Sequence, residues 1–194
     1  MAKGAFDSLH VLIIDDNVHM RDVVETLLRA LGVGTISLAS NGQEALGLLR
    51  SEPIDIVLCD LEMEPLGGLD FIREMRANGA SPNPFVPIIV VSGHTEKHIV
   101  VMARDAGATE FLAKPISAHE LYERIRSVIA HPRPFVRTKS YFGPDRRRRL
   151  EDFYSGTERR ADDEVRNRDH SDLDDGGLER RLGDAGELPA SAGD

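Results

Sequence analysis

Leu9-His10-Val11-Leu12-Ile13-Ile14-Asp15-Asp16-Asn17 sets the reading of everything after it. An apolar, largely β-branched run stops abruptly at two carboxylates. A strand without polar alternation suits a parallel sheet covered by helices on both faces. Working outward, residues 18–31 place Met20, Val23, Val24, Leu27, Leu28 and Leu31 at helical spacing and end at Gly32. A strand at 35–38 follows, and Asn41 caps a helix over 43–50. A second apolar run, 54–58, stops at Cys59-Asp60. A helix over 69–77 leads to a third buried strand at 86–91. Residues 94–106 read as a helix, 109–112 as a strand and 117–129 as a last helix. Five strands alternating with five helices predict an α/β fold, a doubly wound five-stranded parallel sheet of the flavodoxin-like kind with order 2-1-3-4-5.

In such a sheet ligands bind outside the carboxyl ends of the strands, where the strand order reverses. Strand one ends at Asp15-Asp16, strand three at Asp60, strand four at Ser92, and strand five just before Lys114-Pro115. All of them converge on one crevice. Three carboxylates there repel one another unless a cation joins them. A small set of oxygen ligands suits Mg²⁺ better than zinc. A lysine ammonium and a serine hydroxyl opposite can hold two oxygens of a transferred phosphoryl group. The constellation thus equips a carboxylate to act as nucleophile while metal and lysine neutralise the developing charge.

The strand-end Asp15-Asp16, Asp60-Leu61-Glu62-Met63, Gly68, Ser92-Gly93 and Phe111-Leu112-Ala113-Lys114-Pro115 together resemble the receiver domain of two-component response regulators, of the stand-alone CheY-like kind, here with an arginine-rich C-terminal extension. The resemblance covers residues 8–130. It implies that Asp60 is the phosphoacceptor, taking phosphate from a histidine kinase or phosphotransfer protein. It implies Mg²⁺ ligated by Asp16, Asp60 and the Glu62 backbone carbonyl, with Asp15 acting through water. Ser92 and Phe111 would be the switch residues, Lys114 would pair with the phosphoryl oxygens, and the Lys114-Pro115 bond would be cis. Such a protein catalyses only its own phosphorylation and dephosphorylation and is not an enzyme with a turnover substrate. Glu64 stands where proline is usual, and Phe111 where tyrosine is common. Glu62 and His94 border the path of the attacking water. An aspartyl-phosphate hydrolase of the haloacid-dehalogenase type would need an aspartate two residues after the nucleophile, where Glu62 stands.

Composition agrees with a signalling module. The 194 residues carry a formal net charge of −9, 5% aromatics and no tryptophan, which disfavours a general nucleic-acid binder. Cys59, the single cysteine, cannot form an internal disulfide and reads as a buried, inert thiol. No window approaches the ~18 consecutive apolar residues of a membrane span, and the N-terminus is too short and polar for a signal peptide. A cytoplasmic location is expected. His94 and His98 sit at i, i+4 without a third ligand, so a zinc site is not expected.

After His131 the character changes. Prolines 132, 134 and 144 interrupt any helix and large apolar residues thin out, so residues 131–194 are expected to be a largely disordered tail. Residues 131–149 hold seven basic residues against one acidic, and 150–194 hold six against fourteen. Within the tail, Tyr141-Phe142-Gly143-Pro144-Asp145-Arg146-Arg147 is followed by Tyr154-Ser155-Gly156-Thr157-Glu158-Arg159-Arg160, a repeated Tyr-x-Gly-x-acid-Arg-Arg. A fainter copy, Gly177-Leu178-Glu179-Arg180-Arg181, lacks the tyrosine. Paired guanidinium forks suit bidentate recognition of phosphate or carboxylate. Four uses are open: simple solubility, docking on an unknown downstream protein, binding a phosphate-rich ligand such as a cyclic dinucleotide through Arg146–Arg149, and docking of the arginines on the acidic receiver face. Nothing after residue 131 reads as a helix-turn-helix, so DNA binding is not expected.

Overall fold

A computed structural model of the chain describes residues 6–77, 81–138 and 140–147. Five strands, β1 (His10–Ile14), β2 (Thr35–Ala39), β3 (Ile56–Asp60), β4 (Ile88–Ser92) and β5 (Glu110–Ala113), form one parallel sheet of order β2-β1-β3-β4-β5. Helices α1 (Val18–Ala30), α2 (Gly42–Ser51), α3 (Gly68–Arg76), α4 (Lys97–Ala106) and α5 (Ala118–Ala130) connect them. This is the expected doubly wound fold. The three central strands are buried along almost their whole length, and alternate residues feed two cores. Leu12, Ile14, Val57, Cys59, Ile88 and Val90 pack with Leu46, Phe71, Ile72 and Met75 of α2 and α3 on one face. Val11, Ile13, Ile56, Leu58, Ile89 and Val91 pack with Val24, Leu28, Leu121 and Ile125 of α1 and α5 on the other. Two-sided burial is why these strands read as unbroken apolar runs.

Local signals set the helix starts. Asn17 caps α1, its side chain accepting from the His19 and Met20 amides, and Asn41 and Ser117 cap α2 and α5 in the same way. Helix α4 starts at Lys97, three residues later than its apolar spacing suggests, because His94 to Glu96 continue the loop out of β4. It ends on Gly107 at φ +112°, a left-handed cap for which glycine is suited.

The chain beyond α5 corrects one expectation. Residues 131–147 are not a featureless start to a tail: β6 (Phe135–Arg137) and β7 (Phe142–Pro144) form an antiparallel hairpin. Its faces are built from aromatics that a low overall aromatic content obscures. Phe135 and Phe142 meet each other and Phe85 with ring centroids 5.2–5.6 Å apart. The buried Arg76 side chain donates to the carbonyls of Pro84, Val86 and Gly107 and lies 5.1 Å from the Phe135 ring. Arg133 pairs with Glu110 at 2.9 Å and Arg146 with Asp105 at 2.9 Å. The hairpin therefore sits against the ends of α3 and α4 and the start of β5. Arginines do dock on acidic receiver residues. The second motif copy, Tyr154, Gly156, Glu158, Arg159 and Arg160, lies outside the described residues, as does all of 148–194.

Candidate functional site

Sheet register builds the site. Ile14 pairs with Cys59, Asp60 with Val91, and Ser92 with Ala113. Asp15 and Asp60 consequently emerge at one level, with Ser92 and Lys114 just beyond them on the next two strands. The Lys114 ammonium lies 2.9 Å from Asp15 Oδ2 and 2.9 Å from Asp60 Oδ2. Asp15, Asp16 and Asp60 bring one carboxylate oxygen each within 4.8 Å of one another, and among the described residues they form the acidic cluster able to hold a metal ion. Asp15 and Asp60 are buried and Asp16 is exposed.

Each carboxylate is aimed by the backbone around it. Asp60 Oδ1 accepts the Leu61 amide at 2.7 Å and Asp15 Oδ1 the Asn17 amide at 2.9 Å. The Arg21 guanidinium, one turn into α1, donates to the carbonyls of Asp15 (2.6 Å) and Asp16 (3.3 Å), tying the acidic loop to the helix. Sequence spacing did not single out Arg21; its position one turn beyond the Asn17 cap was the available signal. Gly68 passes so close to the Asp60 carbonyl that any Cβ there would collide with it. Ser92, buried, accepts the His94 amide at 3.1 Å. Phe111 is partly buried against the α2–α3 core.

Burial pushes the Asp60 carboxyl above the ordinary aspartate value; Lys114 opposes this and the Asp15 charge adds to it. Burial works against the Lys114 charge, but hydrogen bonds and attraction from Asp60 and Asp15 outweigh it and hold the ammonium above the usual lysine range. Cys59, fully buried beside these carboxylates, is pushed far upward, which fits an inert thiol. The Lys114-Pro115 bond is cis as expected, and so is Glu64-Pro65 in the loop after β3. Glu62 is exposed and its carboxylate meets His94 Nε2 at 2.9 Å, a contact that no spacing rule would have suggested.

The donor set fits Mg²⁺: oxygen ligands only, clustered, with one exposed carboxylate leaving room for water. The lysine already draws two of the three carboxylates together, as a cation must. Asp15, Asp16 and Asp60 are the side chains that would hold the ion. The Glu62 side chain points to His94.

The chain belongs to the response regulator receiver domain family, which residues 11–126 match. It is 32% identical over 133 residues to the transcriptional regulatory protein ZraR of Salmonella typhimurium, covering 69% of this chain and 28% of that relative. The chain thus spans under a third of the length of the curated relatives it matches. Among solved structures it resembles the chemotaxis protein CheY4 of Vibrio cholerae, with 26% identity, a TM-score of 0.57, and coverage of 62% of this chain and 98% of that one. It is similarly close to the receiver domain of the sensor histidine kinase PA1611 from Pseudomonas aeruginosa, whose structure has magnesium coordinated in the active-site cleft. That match has 28% identity and a TM-score of 0.57, covering 63% and 98% of the two chains. Among the described residues no helix is long and apolar enough to cross a membrane.

Proposed function

We propose that this chain is a single-domain response regulator that accepts a phosphoryl group on Asp60 from a histidine kinase or phosphotransfer protein. In this reading phosphorylation switches the binding of a downstream partner in the cytoplasm. The observation that carries it is the Lys114 ammonium shared at 2.9 Å between Asp15 and Asp60, on a pocket where Asp16 adds a third carboxylate.

An Asp60 carboxylate oxygen attacks the phosphorus of a phosphohistidine. The new O–P bond forms as the P–N bond breaks, and the imidazole leaves with the bonding pair, taking a proton from solvent. Lys114 turns from the free carboxylate to a phosphoryl oxygen, and Ser92 offers its hydroxyl to another. When bound, Mg²⁺ neutralises the remaining charge. Phe111, beside Leu112 and Ala113 on the edge strand, repacks as Ser92 moves toward the phosphoryl group. Hydrolysis returns the carboxylate, so the chain catalyses only its own phosphorylation and dephosphorylation.

The test is acceptance of phosphate from acetyl phosphate with Mg²⁺, read by intact mass. A gain of one phosphoryl group in wild type and none in Asp60→Ala is the expected result; no gain in folded wild-type protein would sink the reading.

A second reading makes the arginine-bearing tail the active element, binding a partner protein or a phosphate-rich ligand such as a cyclic dinucleotide under receiver control. Its support is that Arg147 is exposed next to the docked Arg146. Cutting the chain after His131 would separate the two, since loss of partner binding with phosphorylation intact favours the tail and unchanged binding sinks it.

A further inference from the structure

The first copy of the tail motif has a seat on the receiver, and its tyrosine, glycine, acid and first arginine each have a physical use there. The Tyr141 side chain is buried, and its hydroxyl donates to the Pro144 carbonyl at 2.8 Å. Gly143 is hemmed in: a Cβ there would stand 2.6 Å from the Tyr141 hydroxyl oxygen and 3.2 Å from the Gly107 Cα. The acidic position, Asp145, accepts the Arg147 amide at 3.0 Å. Arg146 lies 3.9 Å over the Tyr141 ring and reaches Asp105 at 2.9 Å. Phe142, by contrast, is not repeated thirteen residues on, where Ser155 stands; it serves the aromatic stack with Phe85 and Phe135.

Four of the five shared positions, Tyr141, Gly143, Asp145 and Arg146, are thus the ones that fold the clasp and fit it against Asp105 and Gly107, and Arg147 is left exposed. We propose that the surface formed by Asp105 and Gly107 is a recognition site for Tyr-x-Gly-x-acid-Arg-Arg, with Tyr141–Arg147 as its resident ligand and Tyr154–Arg160 of the same chain as an exchangeable second ligand. The second copy keeps tyrosine, glycine, an acid and both arginines, with Ser155 in place of Phe142 and Thr157 in place of the buried Pro144. The closure cost of a loop grows slowly with its length, so thirteen extra residues between β6 and the motif do not forbid the exchange. Tethering favours a ligand from the same chain over one from another molecule. The copy in the seat decides which arginines are held and which are presented to solvent. This inference rests on the hairpin and the repeat and stands whether or not Asp60 accepts phosphate.

The test uses the full chain, isotope-labelled, and follows the Asp105 and Gly107 amides by NMR, with the remaining spectrum as the folding control. Tyr141→Ala/Arg146→Ala empties the resident copy; adding Tyr154→Ala/Arg159→Ala removes the second. If the second copy takes the seat, the added pair shifts both amides and speeds their hydrogen exchange. Identical amides in the double and quadruple variants would overturn the proposal. A shift that appears only on raising the protein concentration would overturn the same-chain assignment. Should the quadruple variant not fold, a synthetic peptide of residues 150–164 is titrated onto the double variant cut after Arg148, which keeps the compact unit of residues 1–148 and leaves no second copy in the chain. Saturable shifts at Asp105 and Gly107, absent with a peptide carrying both alanines, are expected, and no shift from either peptide overturns the recognition site.

Discussion

His94 Nε2 and Glu62 Oε1 lie 2.9 Å apart, joining the loop after β3 to the loop after β4 above the acid pocket. Both side chains are exposed, so the pair itself contributes little to stability. Under the proposed function its place matters more, since a carboxylate there would add negative charge where water attacks the acyl phosphate. Glu62→Ala is expected to shorten the life of phosphorylated Asp60 by up to about fivefold, the rate equivalent of about 1 kcal/mol. The decay of the phosphorylated band on Phos-tag gels measures it, and an unchanged or longer lifetime would count against the electrostatic role.

Removing the Lys114 ammonium leaves Asp15 and Asp60 facing each other without a counter-charge. Lys114→Met is expected to destabilise the metal-free protein by about 3 kcal/mol, the range seen when one partner of a buried pair is lost. Urea unfolding with and without millimolar Mg²⁺ checks this, with the divalent ion restoring part of the loss.

Mg²⁺ should raise the melting temperature of wild type in a saturable way, because a ligand that binds only the folded state stabilises it by mass action. Asp16→Asn removes the exposed carboxylate of the cluster without touching the Lys114 contacts, and the Mg²⁺-induced rise should shrink or vanish. A rise equal to that of wild type would remove Asp16 from the metal site.

Gly143→Ala forces a methyl group against the Tyr141 hydroxyl and Gly107. The hairpin should be lifted at a cost of about 1–3 kcal/mol, typical of overpacking. Limited proteolysis should then open cuts between residues 131 and 147 that the wild type resists, while the sheet stays protected.

The same clasp responds to alkali. Burial raises the Tyr141 phenol above its ordinary value of 10.0, the Asp105 charge adds to this, and Arg146, Arg76 and Arg104 oppose it. The folded chain therefore keeps that proton to higher pH than the unfolded chain does. The linked stability is fully present below pH 10 and falls as pH rises from there through the folded value. The phenolate absorbance titration of Tyr141→Phe should lack the highest-pH portion of the wild-type curve.

Much of this was legible because the sheet is buried on both faces. Apolar runs ending at Asp15, Asp60 and Ser92 announced both strands and pocket, and Asn41 marked its helix by a cap that needs no tertiary partner. Contacts between segments far apart in sequence were not. Arg76 reads as an exposed helix-end charge, yet burial brings its guanidinium down to about 10, still charged at neutral pH, while it ties Pro84, Val86 and Gly107 together. The hairpin was missed for a related reason. Its aromatic cluster is completed by Phe85, fifty residues upstream of Phe135, and its ion pairs by Asp105 and Glu110, so its own composition reads as a tail.

Arg76, Gly107 and Glu110 all lie at the amino ends of β4 and β5, whereas Ser92 and Lys114 lie at their carboxyl ends. Between the clasp and the acid pocket stands the four-residue β5, roughly 13 Å of extended chain at about 3.3 Å per residue. Glu110 holds Arg133 at one end and Ala113 precedes Lys114 at the other. Neither pole touches the other directly, so any coupling between them would have to pass through β5 and the helices packed on it.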